Sequence, residues 1–467
     1  MKYISTRGEN SSLDFDDVLI SGLASDGGLY LPDAWPQFSG SGISAMKNLN
    51  YRETAFQVMR PFINQDCIDN PTLQNLIDDA YSHFDCDDVA PLVDLGNNQW
   101  MLELFHGPTL AFKDMAMQFL GPVFDCVLEK RGRRATIVGA TSGDTGSAAI
   151  EACRGRKALD VFILYPHGRV SDVQRMQMTT VDDNNVHAIA VNGTFDDCQD
   201  LVKAMFNDKP FREKWNLSAV NSINWARICA QIVYYFYAAV RVGAPERDVA
   251  FAVPTGNFGN VFAGYAARKM GLPIRQLIVG TNKNDILHRF FSTGTMKMDG
   301  VDPTISPSMD IQISSNFERL LFDLFNHDSE KLSRTMTAFR ETGEFSVDDE
   351  ILQTAKQLFS SARFDDNQTR ALMAGLYLKQ NILMDPHSAV GLAAGRACIK
   401  DEDTPLVSLA TAHPAKFPEA TEQATGVHPE LPHHLSDLMT RPEHFDVLDN
   451  DLTAVQNFIQ TKSEPRP

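Results

Sequence analysis

The sequence predicts an α/β protein, and three observations carry that prediction. From Trp100 onward, short β-prone apolar runs alternate with glycine-bearing turns and helical stretches, the rhythm of parallel strands joined by crossover helices. Two of those turns are rich in Gly, Ser, Thr and Asn, and each joins a strand end to a helix start. The chain has 467 residues, 43% hydrophobic and 22% charged. That is enough for about two to four domains with a large core, and the mixture excludes a disordered or fibrous chain.

The elements follow in order. Residues 1–95 have a texture of their own, with a turn at Asp26, Gly27 and Gly28, helical stretches over 51–63 and 73–84, and an acidic patch at 85–88. They read as a helical N-terminal domain packed on the rest. Lys113 opens a helical pattern that runs through Phe119. Residues 135–139 form a strand, 140–145 a polar turn and 146–153 an alanine-rich helix; 160–164, 170–178 and 186–191 then read strand, helix, strand. The pattern returns with a strand at 248–253, a turn at 254–259 and a helix at 260–270. Gly271 and Pro273 close that helix, one supplying a left-handed C-terminal position and the other unable to continue. Further strands lie at 276–280 and 405–410. The division is an N-terminal domain at 1–95, a catalytic core of two α/β subdomains at 96–420, and a peripheral C-terminal tail at 421–467.

Charge and cysteine usage exclude several functions. With 42 Lys+Arg against 60 Asp+Glu the formal charge is −18, which repels nucleic acid and anionic membrane surfaces. Small anions must therefore be held by a focused local site. The seven cysteines are widely spaced with no two three apart, so neither a zinc site nor a disulfide framework is expected, and no metal is. Residues 228–240, the most apolar segment, contain Gln231 and are too short to span a bilayer. No secretory apolar region follows Met1. A cytoplasmic protein is expected.

Three segments carry chemistry. The turns GATSGDTGS (139–147) and PTGNFGN (254–260) present the unpaired N–H groups of a helix start to whatever lies outside, with glycines allowing close approach. Neither fits a P-loop or a G-x-G-x-x-G fingerprint. The third segment is LELFHGPTLAFKD (102–114). Lys113 sits there among apolar neighbours, where an ammonium tends to lose its proton and the amine becomes a nucleophile suited to Schiff-base chemistry.

The run FHGPTLAFKD (105–114) resembles the cofactor-lysine segment of threonine synthases, pyridoxal-phosphate enzymes of fold type II. SGDTGS (142–147), NSINWAR (221–227), GNFGN (256–260), SPSMD (306–310) and DPHSAVG (385–391) resemble that family in order and spacing, as do YISTRG (3–8) and SDGGLY (25–30). The likeness covers nearly the whole chain and points to the long bacterial and fungal branch.

The resemblance implies two open α/β subdomains flanking a cofactor cleft, with pyridoxal 5'-phosphate as cofactor. It implies conversion of O-phospho-L-homoserine and water to L-threonine and phosphate, the last step of threonine biosynthesis, by a monomer or small homo-oligomer. Lys113 would bind the cofactor covalently and act as catalytic base. Gly256, Asn257, Phe258, Gly259 and Asn260 would hold its phosphate, and Thr411 would face the ring nitrogen. Ser142 and Thr145 would meet the substrate, and Asn221, Ser222, Asn224 and Arg227 its phosphate. The resemblance leaves open the roles of Asp144, which would orient its turn or cap the helix, and of His106, His387 and His413. Two rivals are a fold type II lyase such as a threonine dehydratase and a non-catalytic threonine-synthase-like binding protein.

Overall fold

The computed structural model describes residues 1–9, 12–141, 143–219 and 221–463. Besides two two-stranded sheets it has two main sheets, of which the larger has six strands in the order Phe359–Arg363, Ile274–Thr281, Val249–Pro254, Leu406–Ala410, Gln99–Glu103 and Leu92–Gly96. All neighbours in it are parallel except the last two, which form an antiparallel edge hairpin. The smaller sheet has five parallel strands, ordered Asp446–Asp449, Val186–Asn192, Leu159–Pro166, Ala135–Ala140 and Leu217–Ser218. Strands Leu159–Pro166 and Val249–Pro254 are buried along their whole length. Helices cover a parallel sheet on both faces, so its strands read as continuous apolar runs.

The chain visits the larger sheet first and crosses to the smaller one with Ala135–Ala140. It returns with Val249–Pro254 and crosses once more for Asp446–Asp449. Predicted and observed boundaries agree within a few residues for most elements. The stretch predicted as one helix over 51–63 divides into an α-helix, Tyr51–Met59, and a 3-10 turn, Arg60–Phe62, where Pro61 lacks an amide hydrogen. The helix after Lys113 runs to Lys130 rather than ending near Phe119.

Helix Trp225–Arg241 is buried at every residue but the last. An all-round apolar helix belongs in a protein core, and this one receives the N-terminal region on one side and the helix Gly259–Lys269 on another. Tyr3 packs its ring 6.0 Å from that of Trp225 and donates its hydroxyl to the Phe62 carbonyl at 2.7 Å. Residues from the N-terminal helices and from both sheets join one continuous apolar cluster.

The tail is not peripheral. Asp446–Asp449 extends the smaller sheet beside Val186–Asn192, and helix Leu452–Lys462 inserts Val455 and Ile459 into its core. No described helix is long and apolar enough to cross a membrane.

Candidate active site

Both sheets direct the carboxyl ends of their strands toward the segments singled out above, the place where α/β sheets bind ligands. After Gln99–Glu103 the chain is zipped to the segment following Leu406–Ala410. Leu104 N–H donates to Ala410 at 3.0 Å, Phe112 N–H to Thr411 at 2.8 Å, and His413 N–H to Leu110 at 3.0 Å. That ladder fixes Lys113 at the start of helix Asp114–Lys130 and Thr411 at the end of its strand. Thr411 is buried, and its N–H donates to Ser388 Oγ at 2.8 Å. Thr109 donates its N–H and its hydroxyl to the Asp114 carboxylate at 2.8 and 2.7 Å; burial still raises the Asp114 carboxyl to about 6.

A charge cluster occupies the centre. Asp144 is the first residue of helix Asp144–Cys153, with Gly143 as the cap, so its carboxylate is free to face the cleft. Each oxygen receives one ammonium and one neutral donor. Oδ2 takes Lys113 Nζ at 3.0 Å and the Ser308 hydroxyl at 3.2 Å; Oδ1 takes Lys416 Nζ at 2.9 Å and Gln174 Nε2 at 2.7 Å. Burial opposes ionisation of Asp144, but Lys113 and then Lys416 hold it well below the usual carboxylate range. Burial lowers the Lys113 ammonium from its ordinary value, with the Asp144 charge acting against that and the charges of Lys416 and Arg227 adding to it.

His387 belongs to this cluster. Its Nε2 accepts the Ser308 N–H at 3.2 Å, so Nδ1 carries the proton and donates to Asp385 at 2.9 Å. His413 accepts the Ala415 N–H at 3.2 Å, and burial lowers it to about 4. His106 sits further out between Asp85 at 3.0 Å and Glu103 at 2.7 Å; burial works against its charge, but Glu103 and Asp85 raise its pKa.

On the opposite wall, the turn after Val249–Pro254 carries Phe258 in the left-handed region, φ 62°, and enters helix Gly259–Lys269. A Cβ at Gly256 would lie 2.9 Å from the Ser308 carbonyl oxygen, and one at Gly259 would lie 3.2 Å from Asn316 Nδ2. At Gly256 the neighbour is backbone and would have to shift, whereas at Gly259 it is a side-chain end that need give only slightly. Asn316 ties the wall together, donating through Nδ2 to the carbonyls of Asn257 and Ser222, each at 3.1 Å. The Asn260 side-chain oxygen accepts the hydroxyls of Tyr234 at 2.6 Å and Tyr235 at 3.0 Å, which leaves its buried Nδ2 with no protein partner.

Beside this wall, Arg227 lies in the first turn of helix Trp225–Arg241. It is buried, with no hydrogen-bond partner for Nε or Nη1, and burial lowers its guanidinium to about 10. Gln231 bonds its carbonyl at 3.0 Å, not its guanidinium. Asn221 accepts the Ile223 N–H at 3.2 Å. Asn224 is committed elsewhere: Oδ1 caps the helix on Ala226 N–H at 3.0 Å, and Nδ2 donates to the Leu19 carbonyl at 2.9 Å. Thr145 is half-buried in the first turn of its helix. Ser142 lies outside the described residues.

The sequence does not single out Lys416, Gln174, Ser308 and Asn316 as site residues. Lys416, between Ala415 and Phe417, carries the same signal as Lys113, a lysine among apolar neighbours. The fit to pyridoxal phosphate can be tested on the residues themselves. A buried primary amine, a glycine turn at a helix N-terminus, an orphaned Asn260 donor and a strand-end hydroxyl are what an aldehyde-bearing phosphorylated pyridine requires. They fit.

The family described as pyridoxal-phosphate dependent enzyme matches residues 90–342, and those described as threonine synthase N terminus and threonine synthase, C-terminal match 2–81 and 388–459. A threonine synthase of Pseudomonas aeruginosa is 54% identical, the match covering 98% of each chain. The crystal structure of a PLP-bound threonine synthase from Brucella melitensis superposes with a TM-score of 0.98 at 52% identity, covering 99% of this chain and 100% of that one. That of threonine synthase from yeast gives 0.94 at 42%, covering 99% and 98%. Fold and site together define a pyridoxal-phosphate enzyme of fold type II. Within that class, the chain belongs to the threonine synthase family.

Proposed function

We propose that the chain converts O-phospho-L-homoserine and water to L-threonine and phosphate. One observation carries the substrate: a buried guanidinium with unpartnered Nε and Nη1, whose charge acts on Lys113. A buried, unpaired cation is costly unless a ligand completes it, and an arginine fork suits phosphate oxygens. Arg227, Asn221 and Ser222 take the substrate phosphate, and Ser142 and Thr145 its other anionic end. Asn224 serves as a positioning residue, since both ends of its amide have protein partners. Gly256, Asn257, Phe258, Gly259 and Asn260 hold the cofactor phosphate, and Thr411 faces the ring nitrogen.

Bound pyridoxal phosphate supplies an electron sink for charge developing beside the substrate amine. Lys113 Nζ takes the α-proton and then a β-proton, a role suited to an amine whose charge burial already disfavours. Arg227 holds the phosphate oxygens while the bond to the γ-carbon breaks. Water adds at the β-carbon, and the buried walls keep it out before that step.

The division into 1–95, 96–420 and 421–467 follows the same reading, with the last segment completing the smaller sheet of the core. A cytoplasmic location is supported by seven free cysteines. Incubation with O-phospho-L-homoserine is expected to release phosphate and threonine in equal amounts. Ammonia release from threonine, with phosphohomoserine untouched, indicates a dehydratase instead. Turnover of neither substrate indicates the non-catalytic relative.

A further inference from the structure

Lys416 is fully buried, and its Nζ has two partners, Asp144 Oδ1 at 2.9 Å and the Thr109 carbonyl at 2.7 Å. Gln177 donates to the same carbonyl at 3.2 Å. A second ammonium thus competes with Lys113 for one carboxylate, each held on its own oxygen. Removing an ion from a buried set changes the charge balance of those that remain, because little solvent screens them. The charged groups facing this set come from several elements: Asp144 from its helix start, Lys416 from the turn Pro414–Lys416, and Arg227 from helix Trp225–Arg241. Two further titratable groups lie alongside: His387 from helix Pro386–Cys398, which meets Asp144 through Ser308, and Asp114, which feels Lys416 and is bonded to Thr109.

We propose that Lys416 is a positioning residue which, by sharing the Asp144 carboxylate, loosens the hold of Asp144 on the Lys113 ammonium and so sets the pH at which the Lys113 amine becomes reactive. The proposal rests on the assignment of Lys113 as the cofactor lysine. It gives Asp144 a purpose beside an anion-binding turn, where a lone carboxylate would repel the ligand. With Lys416 present, the carboxylate stays neutralised whether Lys113 is an ammonium or an amine.

The directions are opposite for the two partners. Without Lys416, Asp144 acts on Lys113 alone and a neighbouring positive charge is lost, so the ammonium is favoured. Without the Asp144 charge, Lys113 faces only cations and burial, and the amine is favoured.

The test is the pH dependence with which pyridoxal phosphate labels Lys113 in the full chain, fixed by borohydride and counted by peptide mass. In this probe reaction the Nζ–carbon bond forms, the aldehyde oxygen leaves as water, and borohydride delivers the hydride. Lys416→Met is expected to move the labelling midpoint to alkaline pH by about one pH unit or more. Lys416→Arg should stay near wild type, and Asp144→Asn should move the midpoint to acid. An unchanged midpoint in Lys416→Met, or a shift in the same direction as Asp144→Asn, overturns the proposal. So does Lys416→Arg moving as far as Lys416→Met. Should Lys416→Met fail to fold, the absence of an acid shift in Asp144→Asn overturns it. Absence of label on Lys113 in the wild type sinks the cofactor-lysine assignment instead, which keeps the two failures apart.

Discussion

The two walls of the cleft treat charge in opposite ways. On the Lys113 side, each Asp144 oxygen has an ammonium and a neutral donor, and the chain supplies every partner. On the Arg227 side, a buried guanidinium keeps Nε and Nη1 without a partner, and Asn260 Nδ2 is likewise orphaned. Folding rarely leaves such groups unsatisfied, and an arginine and an amide donor orphaned beside the cleft mark where ligand oxygens complete the structure. The Lys113 wall positions reactive groups; the Arg227 wall waits for anions.

The largest expected effect removes the reactive group. Lys113→Ala should lower turnover at least about a hundredfold, read by phosphate release, while folding is retained. A variant turning over at the wild-type rate removes Lys113 from its role. Next comes the shape of the anion wall. Gly256→Ala places a Cβ 2.9 Å from the Ser308 carbonyl oxygen. Overpacking of this kind should weaken pyridoxal-phosphate binding about tenfold or more in an absorbance titration; unchanged affinity means the turn does not hold the cofactor.

Stability before any ligand is added sharpens the contrast. Lys416→Met breaks two buried hydrogen bonds and should cost about 1–3 kcal/mol in denaturant unfolding. Arg227→Met removes an unpaired buried charge and should leave stability unchanged or raised. Equal losses in the two variants erase the distinction between the walls. The smallest effect lies in pH dependence. Burial raises the Asp114 carboxyl from 3.8 to about 6, so its protonated form favours the fold. That contribution is full below the unfolded value of 3.8 and is lost as pH rises through about 6. Asp114→Asn should therefore flatten the fall in stability across this window, and a slope like the wild type's argues that Asp114 is ionised throughout.

Much of this was legible in the sequence because it rests on local pattern. Buried parallel strands read as apolar runs, the two glycine turns announce helix starts, and Lys113 stands out against Phe112 and Met115. What escaped depends on distant pairing. Nothing in the spacing says that Asp144 faces two lysines, or that Ser308 and Asn316 reach across to the turns they steady. Asn224 looked like a donor for substrate, yet its position one residue before a helix fits the capping role it has. The tail strand Asp446–Asp449 is mostly exposed and half acidic, so no apolar run marks it.

The contrast between the walls is tested most directly by Arg227→Met, assayed two ways on one preparation. Labelling of Lys113 by pyridoxal phosphate, read at a pH above the labelling midpoint so that loss of the Arg227 charge does not limit it, should reach the wild-type extent, while kcat/KM for O-phospho-L-homoserine falls about 10- to 100-fold through KM. An unchanged kcat/KM, or a parallel loss of labelling, would contradict the assignment of Arg227 to the substrate phosphate.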